Sequence, residues 1–349
     1  MQALVKYANT PGAVEIREMP QPEITADQVL LRVQAVGICG SDLEMYHHKI
    51  TFPVKPPVIL GHEFSGTVVE VGAAVRDFRP GDRVVSETAA YICGKCAECR
   101  TGNYNECPKR LGFGILINGA DAPFVAVREG ALHRVPDTVD LTEAALTEPL
   151  CVAYNALVVK SRIRPADVVV VLGPGPIGLM AVQIARVAGA SVIVLAGRNR
   201  ESRRMQIGQA VGATHLVDLR HDDLGALVRD LSDGRGADLV LDAAGPSATV
   251  KLALDAVRRN GQITKIAWGP PPLDLSLDPL LAKAVTFQGV FSHTWDTWER
   301  ALRLQATGQV QCAPLISHRV ALADWQVAFD ALGSGAAVKA LICPNGVAE

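Results

Sequence analysis

The chain has 349 residues, 49% hydrophobic and 20% charged, with 34 basic against 36 acidic side chains. This globular composition excludes a disordered or collagen-like chain. With no basic surplus to neutralise phosphates, nucleic acid is not an expected partner. The most apolar stretch, Val168 to Ala185, contains Gly173, Pro174, Gly175, Pro176 and Gly178, a cluster no lipid-exposed helix could accommodate. Met1 to Lys6 lacks the charged start and apolar run of a signal peptide. The expectation is a soluble, cytoplasmic protein without membrane contact, long enough for two domains.

The first 150 or so residues read mainly as short strands, among them Ala3–Val5, Val29–Val33, Gly66–Val71 and Arg83–Val85, bounded by Pro, Gly and Asp. Such spacing predicts a compact barrel or folded sheet. Two short polar groups interrupt it: Cys39-Gly-Ser41-Asp42 and Gly61-His62-Glu63. A lone Cys and a lone His are more often core or surface residues than ligands, but a thiolate and an imidazole could converge if two barrel segments meet.

Next come Cys93, Cys96, Cys99 and Cys107, bunched where Cys151, Cys312 and Cys343 are scattered. Four thiolates on one short lobe match a closed tetrahedral zinc site with a structural role. A ferredoxin-like cluster would place three residues before its last Cys, where this chain has seven. A nucleic-acid finger would need basic residues. The three scattered cysteines read as small buried hydrophobes, and His47, His48 and His133 as surface residues.

From about residue 165 strand-like runs (Val168–Leu172, Ser191–Leu195, Leu216–Asp218, Asp238–Asp242, Gln262–Ile266, Phe287–Phe291) alternate with helical stretches, predicting a doubly wound parallel sheet. The first of these strands runs into Gly173-Pro-Gly175-Pro176-Ile177-Gly178 and then a helix, the context a dinucleotide loop requires. Gly173 permits the turn, Gly175 the approach of pyrophosphate, and Gly178 close helix–strand packing, while the helix N-terminus offers free N–H groups. An acid at the end of the second strand would bind an NAD ribose. Gly197-Arg198-Asn199-Arg200 stands there instead. Arg198 can fork onto a 2′-phosphate, which favours NADP; the alternative is that Arg198 and Arg200 only solvate a helix start, leaving NAD open. Pro270-Pro271-Pro272 marks a loop. Two helices close the chain, near Asp296–Ala306 with Trp295, Trp298 and Leu302 on one face, and near Asp324–Leu332 with Trp325, Phe329 and Leu332.

Taken in order, Cys39-Gly-Ser-Asp42, Gly61-His-Glu-Phe-Ser-Gly66, the four-cysteine lobe, Glu148-Pro-Leu150, Gly173-x-Gly-x-x-Gly178 and Ile316-Ser-His-Arg-Val320 resemble the zinc-dependent medium-chain dehydrogenases. The likeness is to their sorbitol dehydrogenase and threonine 3-dehydrogenase branch. The resemblance implies a GroES-like β-barrel catalytic domain over 1–153, its structural zinc lobe at about 88–110, a Rossmann domain over 154–290, and a return to the catalytic domain over 291–349. It implies two zinc ions per chain. Cys39, His62 and Glu63 would surround the catalytic one, Glu148 would stand on the fourth side as ligand or hydrogen-bond partner of a zinc-bound water, and Asp42 would orient His62. Ser41 would take the alcohol proton. The implied activity is reversible hydride transfer from a secondary alcohol to NAD(P)+, in a homo-oligomer.

Two places depart from that pattern. Glu44 stands where these enzymes commonly carry a His that relays the proton, and Ser292-His293 follow Gly289-Val290-Phe291 where an Arg and a Tyr are common. Both changes bear on relay and substrate. The added negative charge and the missing Arg suit a neutral or cationic alcohol such as a polyol, an inositol or an amino-alcohol. A zinc-free quinone or enoyl reductase on the same fold would lack Cys39 and the lobe, and a non-enzymatic nucleotide-binding protein would have no use for either metal motif.

Overall fold

The computed structural model describes residues 1–198, 202–269 and 271–347. Asn199, Arg200 and Pro270, singled out above, lie outside them. The chain divides into two compact units, one of residues 1–148, 292–307 and 312–349, the other of 149–291 and 308–311.

In chain order the first unit contributes β1 (Gln28–Gly37), α1 (Gly40–Tyr46), β2 (Glu63–Val71), β3 (Arg83–Ser86), β4 (Phe124–Arg128) and β5 (Leu132–Arg134). The second contributes β6 (Val168–Leu172), α2 (Pro176–Val187), β7 (Val192–Gly197), β8 (His215–Asp218), β9 (Ala237–Asp242), β10 (Val257–Lys265) and β11 (Thr286–Gly289). The first unit then resumes with α3 (Trp295–Ala306), β12 (Ile316–Ala321), α4 (Trp325–Gly333) and β13 (Lys339–Cys343).

The largest sheet of the first unit, of seven strands, runs β5-β3-β2-β1-β13-β12, with β4 also paired to β1. Its inward residues Val29, Leu31, Val33, Phe64, Val84 and Val125 form one apolar cluster. The pairing of β1 with β2 sets Gly37 opposite Glu63, and that of β13 with β1 sets Leu341 opposite Gly37. These two registers bring the ends of three distant segments together. A second cluster, in which Met45, Leu60, Trp325, Phe329 and Ile342 are buried, anchors α1.

The second unit is a six-stranded sheet of order β8-β7-β6-β9-β10-β11, parallel throughout. All five residues of β6 are buried, as a strand covered on both faces requires. Each fully buried Val or Leu contributes roughly 1.5–3 kcal/mol of transfer free energy. The strand order reverses between β6 and β9, so the loops after these strands open a crevice of the kind where α/β sheets bind ligands.

The closing helices differ from the sequence expectation in one respect. Trp298 and Leu302 are buried, but Trp295, at the first position of α3, is about half exposed. It lies before the first full turn, where the burial stripe has not begun. Among the described residues no helix is long and apolar enough to cross a membrane.

Candidate active site and metal centres

Cys39 precedes α1 and caps it, and the Asp42 carboxylate reaches back one turn to accept the Cys39 backbone N–H at 2.8 Å. The β1–β2 register then carries His62 and Glu63 to the same place. Ligand atoms of Cys39, His62 and Glu63 all lie within 4.8 Å of one another. Asp42 Oδ1 is 3.8 Å from His62 Nδ1, too long for a hydrogen bond, and neither atom has another partner. Burial alone would depress the His62 imidazole, yet Asp42 and Cys39 outweigh it and hold its pKa well above the ordinary histidine range. The site is a thiol–imidazole–carboxylate set in which the imidazole and carboxylate are buried and the thiol is partly exposed. That is the donor chemistry of zinc, and the three residues fit the ion.

A residue absent from the sequence reading completes this arrangement. Lys339, on β13, is buried, donates to the Ile38 carbonyl at 2.8 Å and pairs with the Glu63 carboxylate. Burial would lower the Lys339 ammonium, but Glu63 and Cys39 raise it above the usual lysine range. Gly37 leaves the space. A Cβ there would run into the Glu63 carboxylate and come within 3.0 Å of Lys339 Cε.

Glu148 lies in the first turn of the helix Thr147–Tyr154 and is not one of the three mutually close residues. Its Oε1 is 3.1 Å from His293 Nε2, and His293 Nδ1 is 2.7 Å from Trp298 Nε1. The sequence offered His293 as a substrate contact; its ring is buried against Glu148 and Trp298. Burial would raise the Glu148 carboxyl, and the His293 hydrogen bond and the surrounding positive groups bring it below the ordinary range. Ser41 and Glu44 are three apart on α1, hence on one face. Both are half-buried, and burial lifts the Glu44 carboxyl above its usual range.

His133 corrects an expectation. It is not a surface residue but almost wholly buried. Its Nδ1 lies 2.7 Å from Glu299, its Nε2 3.4 Å from Glu87, and its ring stacks on Trp298. Glu87 in turn accepts from Tyr104 at 2.6 Å. Nothing local in the sequence marks these residues, since each is paired only through the fold. Arg110 is a further one: it donates to Thr88 at 2.7 Å and lies in the field of Glu148 and Glu87.

Tyr104 belongs to the four-cysteine lobe. Sulfur atoms of Cys93, Cys96, Cys99 and Cys107 lie within 4.8 Å of one another, and none forms a disulfide. Backbone N–H groups point at three of the sulfurs, Cys93 N to Cys107 Sγ at 3.5 Å, Cys96 N to Cys93 Sγ at 3.4 Å and Cys99 N to Cys96 Sγ at 3.5 Å. Donation from the backbone at Lys95 and Cys96 brings the Cys93 thiol down to about 6. Four convergent sulfurs fit a structural zinc and leave no ligand position for chemistry.

In the second unit Gly173 adopts φ +102°, open to glycine at little cost, and a Cβ on Gly178 would strike the Gly173 carbonyl. A Cβ on Gly175, which caps α2, would meet nothing within 4 Å. Gly175, Pro176 and Ile177 remain partly exposed, so the first turn of α2 faces open space. Gly197 ends β7 and is enclosed: a Cβ would lie 2.8 Å from the Pro174 ring and 2.9 Å from Met205 sulfur. Arg198 follows it, exposed. Asp242, at the end of β9, accepts from Ala244 N, Gly245 N, Thr249 Oγ1 and Lys265 Nζ, and so shapes the adjoining loop.

The chain is similar to known proteins over nearly its whole length. Residues 25–137 match the alcohol dehydrogenase GroES-like domain, and residues 176–307 match the zinc-binding dehydrogenase domain. The chain is 38% identical to sorbitol dehydrogenase of Halalkalibacterium halodurans, over 99% of both chains. It is 36% identical to D-arabitol-phosphate dehydrogenase of Enterococcus avium, over 99% of this chain and 98% of the other. A zinc-binding dehydrogenase from Sinorhizobium meliloti 1021, solved bound to NADP, superimposes with a TM-score of 0.90 at 32% identity, over 98% of this chain and 99% of that one.

Proposed function

The chain belongs to the zinc-binding alcohol dehydrogenase family, and from that membership we propose that it oxidises a polyol or related secondary alcohol with NADP+ as acceptor. The observation that carries the reading is the convergence of Cys39, His62 and Glu63 in one cluster, with His62 and Glu63 buried and Cys39 partly exposed. Zinc bound by these three supplies Lewis acidity that lowers the pKa of an alcohol hydroxyl towards neutrality. A nicotinamide cofactor bound at the Gly173–Gly178 turn would supply the hydride acceptor for the alcohol carbon, whose oxidation product would be a ketone. Ser41 accepts the hydroxyl proton and Glu44, on the same helix face, takes it outward. Asp42 faces the His62 imidazole with its carboxylate charge, and Lys339 holds Glu63 in place. Cys93, Cys96, Cys99 and Cys107 hold a second, structural zinc. The turn Gly173–Gly178 carries the pyrophosphate and Arg198 the 2′-phosphate, which assigns 154–290 to cofactor and 1–153 with 291–349 to catalysis. The relatives named above act on a polyol and a polyol phosphate, and Glu44 and Glu148 make the site acidic, which suits an uncharged polyol. A four-thiolate metal lobe fits a reducing compartment such as the cytoplasm, and the functional form is taken to be a homo-oligomer.

The test is an oxidation screen of polyols, polyol phosphates, inositols, simple secondary alcohols and 3-hydroxy amino acids with NADP+ and NAD+, together with metal analysis. Two zinc ions per chain and turnover of a polyol support the reading. A metal-free protein that reduces quinones or enoyl substrates would replace it.

A further inference from the structure

The hydrogen bonds behind Glu148 have a direction. Trp298 Nε1 lies 2.7 Å from His293 Nδ1, and an indole N–H can only donate. His293 Nδ1 must accept, which leaves the single proton of the neutral ring on Nε2. That nitrogen is 3.1 Å from Glu148 Oε1, and a carboxylate can only accept. The two bonds agree on one tautomer. Both rings are shielded from water, and they meet edge to face at 5.1 Å. The other side of Trp298 stacks on His133 at 5.4 Å with an interplanar angle of 8°, and His133 is itself held by Glu299 and Glu87. The indole is therefore fixed in place, and with it the imidazole.

We infer that His293 is a positioning residue for the alcohol site: its Nε2–H binds Glu148 Oε1 and sets the orientation of that carboxylate, with Trp298 selecting the tautomer. This rests on the zinc alcohol dehydrogenase reading above. With Oε1 engaged, Glu148 acts on its surroundings through one oxygen at a set angle. The tie runs from the residue two positions before α3, with Trp298 of that helix behind it, and needs no contact between His293 and substrate.

The first test reads the tautomer directly, by long-range proton–nitrogen correlation on wild-type protein labelled with 15N-histidine, the His293 signal being the one missing from His293→Gln. A ring protonated at Nε2 is expected; a ring protonated at Nδ1 overturns the inference. Turnover is not needed, so this arm decides even where no alcohol is oxidised and the proposed function fails. The second test compares kcat on the polyol that wild type oxidises fastest. His293→Asn keeps a polar group but falls short of Glu148, and is expected to lose about 10–100-fold in kcat with cofactor affinity and zinc content unchanged. His293→Gln extends an amide N–H towards Glu148 and is expected to recover most of that loss. Equal kcat in the two variants, or wild-type kcat in His293→Asn, overturns the inference.

Discussion

Lys339 and Glu63 form an ion pair with both side chains only 2% exposed, across a space that Gly37 leaves open. Breaking one partner of such a pair leaves a charge stranded out of water. Lys339→Met is therefore expected to destabilise the protein by about 3–5 kcal/mol. Gly37→Ala should displace the Glu63 carboxylate and lose one zinc of two. Thermal unfolding and metal analysis check these outcomes, and Gly37→Ala retaining both ions would refute the second.

The two metal centres should fail differently. Cys39→Ser and His62→Ala are expected to abolish turnover, by at least about 100-fold, while nicotinamide cofactor still binds. Cys96→Ser is expected to lower the unfolding temperature instead, because a structural zinc contributes folding energy directly. Kinetics, cofactor fluorescence and calorimetry on the three variants separate the cases.

Cofactor choice is expected to rest on Arg198. Arg198→Gln should raise KM for NADP+ about tenfold and leave NAD+ little changed, since a charged fork on phosphate is lost. Adding an acid at Gly197 is a poor test, because its Cβ would collide with Pro174 and Met205. A wild-type enzyme with higher kcat/KM on NAD+ than on NADP+ would defeat the assignment.

Glu44 is expected to shape the acid side of the activity profile. Its carboxyl is lifted by burial and must be ionised to accept a proton, so turnover should fall as pH drops through that raised value. Glu44→Gln should remove this limb and lower the plateau. A pH profile and rate identical to wild type would take Glu44 out of the relay.

Tyr104 ties the lobe to the buried Glu87. Burial and the Glu87 charge raise its phenol pKa, so the folded protein keeps a proton that the unfolded chain releases near pH 10. The resulting stabilisation is complete below about pH 10 and is lost as pH rises towards the folded value. Urea unfolding between pH 9 and 11 should show a shallower alkaline decline for Tyr104→Phe than for wild type.

The parts of this protein legible in sequence are those whose chemistry is local. Cys93 to Cys107 close on one metal within a single short lobe, and Gly173 to Gly178 form one turn between a strand and a helix, so their spacing alone carries the meaning. The alternation of strand and helix runs likewise reveals the parallel sheet, because a strand covered on both faces is written as a continuous apolar run such as Val168–Leu172. Cys39 and His62 could be named only through the company of other motifs, since their meeting depends on the β1–β2 register. Lys339, 301 positions from the carbonyl it binds, and His293, 145 positions from Glu148, leave no local pattern. His133 reads as a surface residue because a histidine carries no periodicity of its own, and only stacking on Trp298 with Glu87 and Glu299 at its nitrogens makes its burial tolerable. Sequence determined which chemistry the chain can hold. Tertiary pairing decided which charges stand beside it, because a buried charge or imidazole takes its partner from whatever strand or helix the fold sets against it.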